Sequence, residues 1–350
     1  MKFKYSTQLS SKIERIKSFK KPTVVGGVTF NSPLILAPMS QITTAAFRLL
    51  MEDLGSGGSI SELTSSNGIF YNSTRTLDML YIDPREECVG IQLFGEKSQN
   101  IVSAALLAQQ SGAKFVDINM GCPVRKVVSK GAGSALIRKP QELYNFLYPI
   151  KKALAIPLSI KIRLGYSEKE ITCFDVVKVA ADAGINFVTI HGRTTVQLYK
   201  GTANWNLIEE VAEKFSGVIP IIGNGDLNSG AKIAERMKIT NCQALMIGRS
   251  ASKNPFIFLD GISSIYHSEN TFFSGADMLE IIDAFIYYLS GIVSEEKIRI
   301  VQLKKFVVGY ASSFPYASEL RNKIFALKSI DEIKALSCSY FSSLPVLNTK

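Results

Sequence analysis

Short runs of Val, Ile and Leu, each closing on a glycine or a polar corner, alternate with longer stretches whose apolar residues recur every three or four positions. The runs cover residues 33–39, 58–63, 88–95, 114–121, 157–165, 186–193, 218–226 and 243–250. Between them, segments such as SQNIVSAALLAQQSGA and FDVVKVAADAG have helical period and stop at glycine. Near-continuously apolar strands alternating with helices predict a parallel sheet buried on both faces. Eight such units within about 230 residues fit a closed (β/α)8 TIM barrel better than an open doubly wound sheet. Neither GAGSAL nor GNGDLNSG has the G-x-G-x-x-G spacing of an open-sheet dinucleotide site. Past the barrel, the chain reads as about four helices forming a smaller C-terminal bundle, with Ser329 and Glu332 spaced as a capping box. Ahead of the barrel, residues 1–23 form a basic arm, expected to be a frayed tail.

A barrel makes one demand of the sequence: its chemistry gathers where strands end. Those ends carry Met39, Glu62, Gln92, Asn119 with Cys122, Lys161 with Arg163, His191 with Arg193, Asn224 with Asp226, and Gly248 with Arg249. The last two corners, GNGD and IGRS, place glycines where backbone N–H groups can approach an oxyanion, with Arg249 beside them. That is the usual phosphate position on this fold. Gln92 offers both donors and an acceptor to the edge of a flavin, and Lys161 a cation for its negative charge. These residue types favour FMN over a phosphorylated sugar.

The chain has 350 residues, 46% of them hydrophobic, enough for a large core and a second small domain. Its N-terminus lacks an apolar run of about 7 to 15 residues, and no uncharged stretch is long enough to cross a bilayer, so a cytoplasmic protein is expected. Five scattered cysteines, odd in number and with no Cys-x-x-Cys or Cys/His cluster, argue against a disulfide framework and against a metal site. For Cys122, on the Gly-Cys-Pro corner, this leaves a nucleophile, a packed hydrophobe or a proton donor. Only His191 and His267 are available as bases, and His267 lies outside the strand-end set. Forty basic against 30 acidic residues give a net charge of +10, which suits a polyanionic partner such as nucleic acid or describes a merely basic protein.

LAPMSQITTAAFR, GIQLFGE, DINMGCPVRKVVSKGAGSALIRKP, IKIRLGY, VTIHGRTTVQLYKGTANW, IGNGDL and MIGRSASKNPFIF together closely resemble the tRNA-dihydrouridine synthases, in the bacterial branch with a long GCP loop. The likeness runs from about residue 24 to about 335, and its GCP block is the most specific part. It implies a TIM-barrel FMN domain over 24–262, a helical tRNA-binding domain over 263–350, and NADPH-driven reduction of the C5=C6 bond of chosen uridines in tRNA. Carried over by position, Pro38, Met39, Ser40, Gln92, Lys161, Asn224, Gly225, Asp226, Gly248 and Arg249 match FMN contacts, and His191 a residue beside flavin and base. Asn119 matches a uracil contact and Cys122 the proton donor to C5, after hydride reaches C6. A thiol of ordinary pKa carries its proton at neutral pH, as an acid must. Arg193, Arg125, Lys126 and Lys130 are expected to touch the substrate, with Lys304, Lys305 and Arg321 of the bundle as a second basic wall. Where the family often has Ala-Gly-Val-Thr-Asp after Pro-Met, this chain has Ser40 to Thr44, which puts local helix capping in question. A monomer is expected. The alternatives are an FMN barrel acting on a free small pyrimidine, as the dihydroorotate oxidoreductases do, and a tRNA-binding protein without turnover.

Overall fold

A computed structural model describes residues 1–266 and 272–344. All eight apolar runs form strands of one parallel ring. They are β1 (Leu34–Leu36), β2 (Ser59–Ile60), β3 (Val89–Phe94), β4 (Phe115–Met120), β5 (Leu158–Arg163), β6 (Phe187–His191), β7 (Ile221–Asn224) and β8 (Ala244–Ile247). Each pairs with its sequence neighbours, and β8 returns to β1 with Ile247 level with Leu36, so no edge remains. Apart from β5's half-buried Lys161 and the last residue of β3, every residue of these strands is buried, which is why the runs read as continuously apolar. The periodic segments form the outer helices, including Ser98–Gln110 and Cys173–Asp182. Gly112 and Gly184 follow them at φ +91° and +75°, a conformation that ends a helix and costs glycine little.

The barrel's lower mouth is closed by a hairpin, Thr23–Val25 against Val28–Phe30, turning through Gly26 and Gly27 at positive φ. Phe30 from this hairpin meets Phe115 of β4 and Phe187 of β6 edge to face, at centroid distances of 5.3 to 6.3 Å within the trio. Gly90 makes room for them, because a Cβ there would lie 2.3 Å from the Phe115 ring. With this end plugged, the cleft among the described residues opens at the opposite rim.

The N-terminal arm corrects the expectation of a frayed tail: Thr7–Lys17 is a helix capped by the Ser6 side chain. Leu9, Ile13 and Ile16, spaced four and three apart, bury one face. Its polar face is also tied down, by Lys12 to Asp277 at 2.9 Å and by the Ser6 hydroxyl to Glu280 at 2.6 Å.

Four helices follow the barrel, Gly275–Ile292, Glu296–Ala311, Ala317–Ala326 and Ile330–Ser342, the last with the expected Ser329/Glu332 capping box. They pack on the rim through Phe47, edge-on to the stacked pair Phe285 and Phe306, through the Tyr310 hydroxyl donating to Ala251 O at 2.9 Å, and through the Tyr288 hydroxyl on Asp53. Lys304 and Lys305 serve the packing, not a free wall. Lys304 caps the end of Ala317–Ala326 at Phe325 O (3.1 Å) and Leu327 O (2.5 Å), and Lys305 reaches Gln41 Oε1 at 2.6 Å. Arg321 is exposed. Among the described residues no helix is long and apolar enough to cross a membrane.

Phe115→Ala removes the centre of the aromatic plug, so urea denaturation is expected to show a loss of about 3 to 5 kcal/mol.

Candidate active site

The open rim holds a cleft of about 1000 Å³ lined by strand ends and, from the helical bundle, by Ser313, Phe314, Pro315 and Leu344. Pro38, Met39, Ser40, Gln92, Asn119, Cys122, Lys161, His191, Asn224, Gly225, Asp226, Gly248 and Arg249 all line it. Residues scattered over more than 200 positions converge because a closed parallel barrel points every strand's C-terminal end at one mouth.

On one side of the cleft stands the Cys122 loop. Asn119, the next-to-last residue of β4, turns its Oδ1 back onto the N–H groups of Cys122 (2.8 Å) and Gly121 (3.3 Å). Arg163, the last residue of β5, donates from Nε to Gly121 O at 2.9 Å. The loop then folds on itself, with Ser134 N donating to Cys122 O at 3.1 Å, and Gly133 takes a positive φ where a Cβ would press on that same carbonyl. Burial pushes the Cys122 thiol above the ordinary cysteine range, against the opposing pull of the Val124 N–H and the Arg163 charge. The sulfur is therefore an S–H group at neutral pH, the reverse of an activated nucleophile.

Beneath this loop runs a chain of polar side chains. Asn119 Nδ2 donates to Gln92 Oε1 at 3.0 Å, Gln92 Nε2 donates to Asp117 Oδ2 at 2.7 Å, and the Ser159 hydroxyl donates to Asp117 Oδ1 at 2.6 Å. Asp117 is fully buried, and desolvation raises its carboxyl to about 6 although Ser159 and Gln92 hydrogen-bond to it.

From β5 round to β8 the rim is cationic. Lys161 donates to Asn224 Oδ1 at 3.0 Å, and Asn224 in turn donates to Met246 O at 2.7 Å. Burial, then the Arg163 charge, lowers the Lys161 ammonium to about 8. Burial also drives His191 well below the ordinary imidazole range, helped by Lys161, Arg163, Arg193 and Arg249. The Tyr199 ring, half exposed, has Arg249 on it at 4.4 Å and Arg163 at 5.6 Å. At the tips of β7 and β8 the backbone N–H groups of Gly225, Asp226, Gly248 and Arg249 have no acceptor among the described residues. Four unpaired donors beside an exposed guanidinium make an anion cradle.

The cleft does not gather every residue expected there. Arg193 is only 2% exposed and does not line it. Its guanidinium is spent on Lys200 O (3.1 Å), Gly201 O (2.6 Å) and Asp226 Oδ2 (2.8 Å), so it anchors the loop after β6 rather than meeting a substrate. Asp226 is likewise engaged. Although burial raises its carboxyl, Arg193 and the Ala203 N–H outweigh that and hold it below the ordinary range. Arg125, Lys126 and Lys130 sit exposed on the outer side of the Cys122 loop. Gly223 serves packing, since a Cβ there would lie 2.6 Å from the Trp205 ring. In the Ser40–Thr44 segment Thr44 makes no side-chain cap bond to the following helix, and its hydroxyl bonds Gln302 of the bundle instead (3.3 Å). His267 lies outside the described residues. Sequence reasoning missed Asp117 and Tyr199. Asp117 was signalled, because it lies two residues before Asn119 and so shares its inward face. Tyr199 is a loop residue with no periodic signal.

A plugged eight-stranded parallel barrel, with four unpaired backbone N–H groups at the tips of β7 and β8 and the Cys122 loop at the end of β4, defines a (β/α)8 protein whose candidate site lies at the strand ends. A family model described as Dihydrouridine synthase (Dus) matches residues 35–343, and the chain belongs to that family. It is 32% identical over 332 residues to a probable tRNA-dihydrouridine synthase of Rickettsia prowazekii (strain Madrid E), covering 91% of this chain and 98% of that one. It is 38% identical over 235 residues to tRNA-dihydrouridine synthase B of Escherichia coli (strain K12), covering 67% and 72%. The fold is shared with solved structures of histamine dehydrogenase from Rhizobium sp. 4-9 (TM-score 0.57, 11% identity) and of 6-hydroxypseudooxynicotine amine oxidase from Pseudomonas geniculata N1 (0.53, 13%). The chain spans about half of each, 51% and 53%, while 78% and 77% of it is matched.

A raised thiol carries less thiolate at any given pH. Iodoacetamide alkylation of Cys122 is therefore expected to rise with pH through a midpoint above that of a solvent-exposed cysteine in the same buffer, read by mass spectrometry of the 122 peptide.

Proposed function

We propose that this protein is a flavin-dependent tRNA-dihydrouridine synthase that reduces the C5=C6 bond of uridines in tRNA, with Cys122 as the acid that protonates C5. The observation that carries the reading is a thiol held in its protonated form on one side of a large cleft whose other side is a cationic anion cradle. The residues present fit FMN. The unpaired N–H groups of Gly225, Asp226, Gly248 and Arg249, with the Arg249 side chain, suit its phosphate, and Lys161 and Gln92 suit the polar edge of its ring. Pro38, Met39, Ser40, His191 and Asn224 complete the lining. When bound and reduced by NADPH, FMN would supply the hydride for C6 and return to its oxidised form.

The protein's own residues have three tasks. Cys122 keeps its proton until charge develops on the uracil, then delivers it to C5. Lys161 makes a single hydrogen bond among the described residues, to Asn224, so its remaining N–H groups stay available to offset negative charge in the cleft. Its lowered pKa still leaves most of the amine charged at pH 7, and an anion alongside raises it again. Asn119, with one N–H given to Gln92, keeps its second for the base.

A uridine inside folded tRNA must leave its stack to reach this depth, at a cost of a few kcal/mol. Phosphate contacts by Arg125, Lys126 and Lys130 on the rim offset that cost. A free pyrimidine would need neither these exposed cations nor the wall that Ser313, Phe314 and Pro315 add to the cleft.

The purified protein is expected to carry flavin absorbance, and after reduction by NADPH to be reoxidised by unmodified tRNA but not by free uracil. Cys122→Ala is expected to keep flavin and tRNA binding while single-turnover reduction falls by about 10² to 10⁴. Full turnover by that variant, or a protein that binds no flavin, refutes the reading.

A further inference from the structure

The fully buried carboxylate of Asp117, beneath the cleft, has no part in the chemistry above. Gln92, Asp117 and Ser159 stand level on three adjacent strands, paired Gln92 with Asp117 and Asp117 with Ser159. Burying a carboxylate is costly, and no ion pair offsets it here. Lys161, one strand over, contributes only at a distance. Two amides above it depend on what it does.

An ionised carboxylate only accepts hydrogen bonds. Because Asp117 Oδ2 takes the Gln92 N–H, the Gln92 oxygen must point the other way, onto Asn119 Nδ2. That in turn leaves Asn119 only its oxygen to offer the loop, where it receives the N–H groups of Cys122 and Gly121. Were Gln92 to flip, its N–H groups would face those of Asn119. Asn119 would then have to flip as well and present a donor to two backbone donors.

We propose that Asp117 is a positioning residue whose side-chain oxygen, accepting from Gln92, sets the sense of the Gln92 and Asn119 amides and so holds the Cys122 thiol at its place over the cleft. The proposal rests on Cys122 being the acid, but its test reads the thiol's placement directly.

The test uses the full chain in a Cys338→Ser background, which removes the exposed thiol and leaves Cys122 beside three buried cysteines. Iodoacetamide alkylation of Cys122 and the dissociation constant of FMN are measured for the unchanged site and for Asp117→Asn, Asp117→Leu and Asp117→Ser. Asparagine can still turn an oxygen to Gln92 and its NH2 to Ser159, so both readings are expected to stay within about twofold, less than the loss of one hydrogen bond. Leucine has no acceptor and serine is too short to reach Gln92. Both are expected to speed alkylation and weaken FMN binding by about fivefold or more, the equivalent of one lost hydrogen bond. Folded Leu and Ser variants with unchanged alkylation overturn the proposal, as does an Asn variant that changes as much as they do. If the Leu variant does not fold, the Ser variant, whose vacated space admits water, decides. If the unchanged protein binds no FMN the flavin reading fails, while the alkylation contrast still decides the role of Asp117.

Discussion

The 2.8 Å hydrogen bond from the Cys122 backbone N–H to Asn119 Oδ1 joins the barrel to the loop that carries the thiol. Asn119 belongs to β4, whose six residues are all buried and which pairs with β3 on one side and β5 on the other, Asn119 itself level with Lys161, so the barrel holds it in place. Everything that fixes the ring thereby fixes the thiol: the plug of Phe30, Phe115 and Phe187 below, the closure of β8 on β1, and the register that sets Gln92 beside Asp117. Arg163 holds the same loop from β5, through Gly121 O, and with Nη1 also holds Thr194 O and Leu198 O of the loop after β6 at 2.8 Å. Two neighbouring strands thus grip the corner from both sides, which a Gly-Cys-Pro turn alone would not achieve.

The same region concentrates positive charge. Lys161, Arg163, Arg193 and Arg249 come from three strand ends, and each lowers the affinity of His191 for a proton. Bringing like charges together in a poorly solvated space is unfavourable on its own, and the depressed pKa values of Lys161 (about 8) and Arg163 (about 10) record that cost. Part of it is met internally, since Arg193 is paired with Asp226 and both buried arginines donate to backbone carbonyls. Arg249, half exposed and 3.6 Å from Asp226, is the cation with most freedom to meet an incoming anion. An anion bound at this rim would relieve the remaining repulsion, so the site gains stability from being filled.

The helical bundle is part of the cleft rather than an appendage. Its contacts with the barrel are of every kind: aromatic at Phe47, hydrogen-bonded at Tyr310, Thr44 and Lys305, and reinforced by the N-terminal helix through Glu280 and Asp277. A wall fixed at so many points holds Ser313, Phe314 and Pro315 at a set place at the mouth, which limits what can enter the cleft. Some of the chain's cations are consumed in building this wall, Lys12, Lys304 and Lys305 among them, so net charge overstates what is left for a polyanion.

What sequence reasoning could reach follows from how local each signal is. The eight strands were legible because parallel strands buried on both faces must be apolar along their length, and the strand-end residues followed because closure leaves them one place to go. Cys122, Lys161, Asn224 and Arg249 are at the mouth for that reason alone. The roles that escaped notice depend on partners distant in sequence. Arg193 has the same composition signal as Arg249, and only the path of the 194–201 loop, which brings the carbonyls of Lys200 and Gly201 to its guanidinium, turns one into an anchor while the other stays half exposed. The N-terminal helix was hidden because polar residues dominate its sequence, TQLSSKIERIK, while three residues, Leu9, Ile13 and Ile16, decide its burial. Asp117 shows the limit most clearly. Its inward direction is a matter of period two, readable from DIN, but its effect on Cys122 passes through a glutamine on another strand, and nothing short of the register between β3 and β4 brings the two together.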